Sequence, residues 1–197
     1  MVKPIRIYYE GDRSLREGFR KFFDSIRFPG VRIKLVAGGT TVNTIGDFIR
    51  ALRTNTDSIN LLLIDSDAPD DGKLAASVRN HSKWDSSVAA SVTDDQIHFM
   101  VQVMESWFLA DKECLRRYYG QGFRENRLPA SPKVEEIPKD DVMNGLEDAT
   151  RSTKRGKYHK TRHAPSLLAQ VNIDKVCNAS PACAHLFSVL EQLVSQT

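Results

Sequence analysis

The sequence is short of the features that would settle its class at once. Its 197 residues hold three cysteines, Cys114, Cys177 and Cys183, with no CxxC pair and none of the density of a secreted disulfide scaffold. They read as reduced structural thiols. No apolar run approaches the roughly 20 residues of a membrane span. The opening "MVKPIRIYYEG" lacks the apolar stretch and small-residue cleavage site of a secretory signal. The expectation is a cytoplasmic protein with no membrane partner. The glycines of "AGGTTVNT" precede a helix start, yet without a P-loop lysine or GxGxxG spacing they imply neither ATP nor NAD. Thr40 or Thr41 there reads as a helix cap. No repeat or low-complexity segment is present. The net charge of +3 neither demands nor excludes nucleic acid, so its distribution carries more information than its sum.

What is present is ordinary globular material: 41% apolar and 27% charged residues, long enough for a real core without staples. "IRIYYE" alternates as a strand. Leu15, Phe19, Phe22, Phe23 and Ile26 then recur at helical spacing behind a candidate N-cap, Ser14. Val31, Ile33 and Leu35 alternate again, and Val42, Ile45, Phe48, Ile49 and Leu52 mark a second amphipathic helix. "LLLID" is a third strand, "GKLAASVRNHSKW" a loose helix, "QIHFMVQVM" a fourth strand, and "ESWFLADKECLRRYYG" one helix after it. Alternating strands and helices of this length predict an α/β, Rossmann-like fold with a mostly parallel four-stranded sheet flanked by helices. Residues 1–119 would form that α/β part. Residues 120–197 would add a basic loop and a helical C-terminal extension packing on the same domain, with a helix near Pro138 and a last helical pair, "HAPSLLAQVN" and "PACAHLFSVLEQLV". Trp84 and Trp107 read as core.

In open parallel sheets the functional crevice lies at the carboxyl ends of the strands. Acids gather at that edge: Glu10 ends the first strand, Asp65 and Asp67 the third, and Glu105 follows the fourth. Carboxylates brought to one rim raise each other's pKa unless a cation compensates. Their hard oxygens suit Mg2+ or Mn2+ rather than zinc. Asp70 and Asp71 read as solvated loop acids.

The order strand-Glu-Gly, then strand-Asp-x-Asp, resembles the Toprim fold of topoisomerases, bacterial primases and the overcoming-lysogenization-defect nucleases. "VQVMESWFLAD" followed by "YHKTRHAPSLL" resembles domain-of-unknown-function family 4276 over nearly the whole chain. The resemblance implies a Toprim-like sheet, metal or acid-base roles for Glu10, Asp65 and Asp67, and places Glu105 and Asp111 in that family's own phrase. Relatives often read Glu-Gly-x-Thr-Glu, where this chain has Arg13 and Ser14. The second acid is therefore missing, with Glu17 one turn on as a substitute.

A phosphoryl transition state also needs a fixed cation. "RSTKRGKYHKTRHA" supplies Arg151, Lys154, Arg155, Lys157, Lys160 and Arg162, with Tyr158 for stacking, as a nucleic-acid footprint. Lys160, just before an apolar helix, is the chosen catalytic or phosphate-binding cation. His159 and His163, four apart, read as surface or capping residues rather than metal ligands. The leading expectation is a magnesium-dependent hydrolase, a nuclease cleaving phosphodiester bonds of DNA or RNA. By resemblance it would act in antiphage defence with an ATPase partner protein. A non-catalytic module binding nucleic acid or an ATPase, and a small-substrate phosphatase or phosphotransferase, are the rivals.

Overall fold

Alternation within the first strand decides where the two apolar layers lie. The computed structural model describes residues 3–24, 32–81, 84, 88 and 91–195; Ile26 and Val31 lie outside them. Strand β1 (Ile5–Glu10) delivers Ile5, Ile7 and Tyr9 to one buried cluster and Tyr8 to another. Strand β3 (Ile59–Asp65) does the same with Leu61 and Leu63 against Leu62 and Ile64. With β2 (Ile33–Gly39) and β4 (Ile97–Met100) these form an all-parallel sheet in the order β2-β1-β3-β4. The fold is α/β, Rossmann-like.

One face of the sheet is covered by α2 (Thr41–Thr54), whose Ile45, Phe48 and Ile49 meet Tyr8 and Leu62, with α3 (Leu74–Arg79) adding Val78. The other face carries α1 (Arg16–Asp24) and the C-terminal helices in one continuous core, which runs from Ile5 to Leu190. Trp107 is wholly buried, stacked on Phe22 at 4.9 Å between ring centroids. Thr40 caps α2, accepting from Asn43 N–H. The cap before α1 is Asp12 rather than Ser14: its carboxylate accepts from the Ser14 N–H, because a 3-10 turn precedes the helix proper. The three cysteines are free thiols.

The segment after β4 departs most from the sequence reading. The strand ends at Met100, four residues early, because the chain turns inward and buries Val101, Val103 and Met104. The single long helix expected after it is two, α4 (Ser106–Ala110) and α5 (Lys112–Tyr119). The break is Asp111, whose carboxylate accepts from Cys114 N–H and caps the second helix. Asp111 also accepts from Asn172 N–H at 3.1 Å and Lys175 Nζ at 2.8 Å, clamping α5 to α8 (Ile173–Ala179). Burial works against the Asp111 charge, but Lys175 and the two N–H donors outweigh it and hold the carboxyl below its ordinary range. Its contribution is therefore lost as pH falls through that lowered pKa. Asp111→Ala is expected to cost about 2 kcal/mol at pH 7, read as the shift of the urea midpoint.

The chain then forms α6 (Lys139–Thr150) behind Pro138, α7 (Lys160–Leu168), α8 and α9 (Pro181–Ser195). Helix α8 is absent from the sequence reading; it is short, buries only Ile173 and Val176, and its one signal was Asn172, which caps it by accepting from Lys175 N–H.

Candidate active site at the carboxyl edge of the sheet

The rim is built by strand ends that turn sharply. Gly11, directly after β1, has φ of 126°, and an added Cβ would come within 2.5 Å of Leu15 Cδ1, so only glycine fits. The β1–β2 register shifts between Tyr9 and Glu10, re-aiming Glu10. Glu10 Oε2 accepts from the Asp65 N–H at 3.1 Å, tying the ends of β1 and β3 together. Asp65 Oδ1 in turn accepts from the Met104 N–H at 2.8 Å. Glu105, one residue on, is thereby brought to the same place.

Asp65 and Glu105 share one cation. Lys160 Nζ, from the first residue of α7, stands 3.5 Å from Asp65 Oδ2 and 3.6 Å from Glu105 Oε2. The carboxylates are 5% and 1% exposed, while the lysine side chain is 41% exposed and so reaches the site from solvent. Burial pushes the Asp65 carboxyl up to about 7, against the opposing pull of Lys160. Burial also raises Glu10, with the Thr41 hydroxyl and the Asp65 N–H offsetting part of it. Burial disfavours the Lys160 charge, yet Glu105 and Asp65 outweigh it and hold the ammonium above its ordinary range. A carboxyl titrating near neutrality beside a fixed ammonium can exchange a proton while opposing developing negative charge.

The other predicted residues are placed differently. Asp67, in the left-handed region at φ 56°, is exposed and pairs with Lys139 of α6. Glu17 is exposed and bound by Arg20. Tyr158 is not a stacking platform: it is buried against Phe108, and its hydroxyl donates to Glu105 Oε1 at 2.9 Å. His163 is buried, and its Nδ1 accepts from the His159 N–H, fixing the start of α7. Much of the basic stretch is locally engaged. Arg151 pairs with Asp148 and Lys157 with Glu147; Arg155 donates to the Tyr118 carbonyl and lies 4.2 Å over its ring. Lys154 and Arg162 are exposed, and no ion pair involves them among the described residues. The roles of Tyr158 and Lys139 escaped the sequence reading. For Tyr158 the signal was its position two residues before Lys160; for Lys139 there was none.

Tyr158→Phe is expected to cost about 2 kcal/mol by chemical denaturation, since it strands a buried carboxylate oxygen. Recovery of that stability in a Tyr158→Phe/Glu105→Leu double variant would locate the cost in the hydroxyl–carboxylate bond.

Whether a metal fits can be asked of the donors themselves. Glu105 Oε2 is buried with no hydrogen-bond partner among the described residues, and with Asp65 Oδ2 it faces the site; both are oxygens of the kind Mg2+ and Mn2+ take. The chemistry fits, although among the described residues no group of three or more His, Cys, Asp or Glu is already gathered around one point, and the Lys160 ammonium stands between the two acids.

No curated protein and no solved structure gives a significant match to this chain. Residues 13–191 match the family described as Domain of unknown function (DUF4276), an interval that contains Asp65, Glu105 and Lys160 together with the helices that position them, and the chain belongs to that family.

Proposed function

We propose that the protein is a metal-dependent nuclease that hydrolyses phosphodiester bonds of DNA or RNA in a Toprim-like crevice. The observation that carries this reading is the Lys160 ammonium, held between the buried Asp65 and Glu105 at the carboxyl edge of a parallel sheet. Glu10, Asp65, Asp67 and Glu105 would hold Mg2+ or Mn2+, which when bound supplies a Lewis acid for a phosphoryl oxygen and an acidified water. The chain's own residues do the rest. Glu10 positions Asp65 by accepting from the Asp65 N–H, and Lys160 opposes charge building on the phosphoryl oxygens. If the strand-Glu-Gly and strand-Asp-x-Asp order reflects kinship with the overcoming-lysogenization-defect nucleases, the protein would work beside an ATPase in antiphage defence.

Purified full-length protein should cleave plasmid or single-stranded substrates with Mg2+ or Mn2+, fall silent in EDTA, and lose activity in Asp65→Asn. Cleavage surviving in both Asp65→Asn and Glu105→Gln would overturn the site. No cleavage with any metal, together with stable capture of an ATPase, would favour the non-catalytic binding module.

A further inference from the structure

A second concentration of positive charge lies away from the basic stretch at 151–164. A groove of about 800 Å³ between α1 and the edge strand β2 is lined by Arg6, Arg13, Arg16, Arg20, Arg32 and Lys34. The acid that lines it, Glu17, is already bound by Arg20 through two contacts of 2.7 and 2.9 Å. Arg13, Arg16, Arg32 and Lys34 are exposed, and none forms an ion pair among the described residues. This is the reverse of the 151–164 stretch, where Arg151, Lys157 and Lys160 face carboxylates and Arg155 is spent on Tyr118.

The groove runs from the turn before α1, beside the candidate active site, toward the amino ends of β1 and β2, where Arg6, Arg32 and Lys34 lie. Arg13 follows Glu10 by three residues, and Asp12 between them lies close enough to Lys160 for that ammonium to help hold its carboxyl down, after the Ser14 hydrogen bonds. Helix α1 is also pressed against α7, the helix that carries Lys160: a Cβ on Gly18 would come within 2.6 Å of the Pro165 carbonyl. One face of α1 thus braces the catalytic lysine's helix while Arg13, Arg16 and Arg20, three and four residues apart, line the groove. Arg20 is held by Glu17 and Asp24. The cations left for a ligand are therefore Arg13 and Arg16, roughly 5 Å apart at 1.5 Å per residue, with Arg32 and Lys34 across the groove. That spacing is about one to two phosphates along one strand of a duplex.

We infer that the α1–β2 groove binds the phosphate backbone of a nucleic-acid strand and leads it to the Asp65–Glu105–Lys160 rim. This rests on the nuclease reading and adds to it the path of the substrate. A line of separated cations suits a repeating polyanion, whereas a single small anion needs donors converging on one point. A membrane surface is disfavoured because the one large apolar side chain exposed among the described residues is Val42, on α2, so the groove offers nothing to insert.

The test is binding of full-length protein to fluorescent single-stranded and duplex oligonucleotides in EDTA over a range of salt. Arg16→Gln/Arg32→Gln, one charge from each wall, is compared with Arg124→Gln/Arg127→Gln, an equal change of charge at exposed residues outside both the groove and the 151–164 stretch. Thermal melting checks that both variants remain folded. The groove variant should bind about 10-fold or more weakly at low salt, and its slope of log K against log salt should fall by about one per lost phosphate contact, while the control keeps the wild-type slope. Unchanged binding by the groove variant, or an equal loss in the control, overturns the inference. So does wild-type protein that ignores oligonucleotides but binds phosphatidylserine vesicles through the same arginines. The two readings fail separately. Groove-dependent binding without cleavage under any metal removes the nuclease and keeps the groove; metal-dependent cleavage with groove-independent binding does the opposite.

Discussion

Lys160→Met is expected to reduce cleavage by about 10²- to 10³-fold and to destabilise the fold at the same time. The kinetic part follows from removing a fixed cation where negative charge develops, whose loss in comparable sites costs about that factor. The stability part follows from what remains. Asp65 and Glu105 are buried, and without Lys160 they face each other across the site with no opposing charge. Breaking a fully buried pair costs about 3 to 5 kcal/mol; here the ammonium is partly in solvent, so a loss of about 2 kcal/mol at pH 8 is the expectation. The loss should shrink at pH 5, where the Asp65 carboxyl takes up a proton in place of the missing cation. Lys160→Arg keeps the charge but exchanges a compact ammonium for a planar fork, so it should restore stability more than activity. Urea denaturation beside single-turnover cleavage reads both effects. A Lys160→Met protein as stable as wild type at pH 8 would show that the ammonium does not offset the two acids.

Asp65→Asn should reverse part of the protein's pH dependence. In the folded chain Asp65 titrates at about 7, whereas unfolded it returns to the ordinary carboxylate value. Between those values the folded state holds a proton that the unfolded state releases, so stability is fully present below the unfolded pKa and is lost as pH rises through the folded one. Keeping that carboxyl charged in the folded chain above neutral pH costs about 4 kcal/mol; the asparagine also deprives Lys160 of one partner, so a net gain of about 2 kcal/mol for the variant at pH 8 is expected. At pH 4 the two proteins should be equally stable. Unfolding free energies from pH 4 to 8 decide it, and a difference independent of pH would mean that Asp65 titrates normally. The same variant should be inactive, so stability would rise as activity is lost.

Much of this arrangement is legible in the sequence because it depends on spacing. The alternation of Ile5, Ile7 and Tyr9 against Tyr8 and the four aliphatics of Leu61 to Ile64 mark strands buried on two faces, and β4 follows from Ile97 and Met100. The rim acids follow once the strands are parallel, since the carboxyl ends then share one side. Other features depend on distant contacts. That Asp111 would break a helix reflects Asn172 and Lys175 some sixty residues away. That Tyr158 would turn inward reflects Glu105, and that Asp67 would pair with Lys139 reflects the entry of α6. The basic stretch at 151–164 reads as the densest positive surface because charges are counted along the chain, while Arg151 and Lys157 within it pair with carboxylates of α6. The α1–β2 groove stayed hidden for the converse reason: Arg6, Arg13, Arg16 and Arg32 are scattered in sequence and meet only when β1 and β2 pair.

The separation of 95 residues between Asp65 and Lys160 also bears on how the protein is made. During synthesis the acids of β1, β3 and the segment before α4 leave the ribosome well before the lysine that balances them. Because a chain emerges at about 5 to 20 residues per second, the nascent protein spends several seconds with an acidic rim and no ammonium to complete it. A fragment released before residue 160 carries every rim carboxylate and lacks the ammonium that stands between Asp65 and Glu105. On the proposed function, a chain that stops before residue 160 would therefore be inert, and the site would be assembled only once Lys160 has followed the acids.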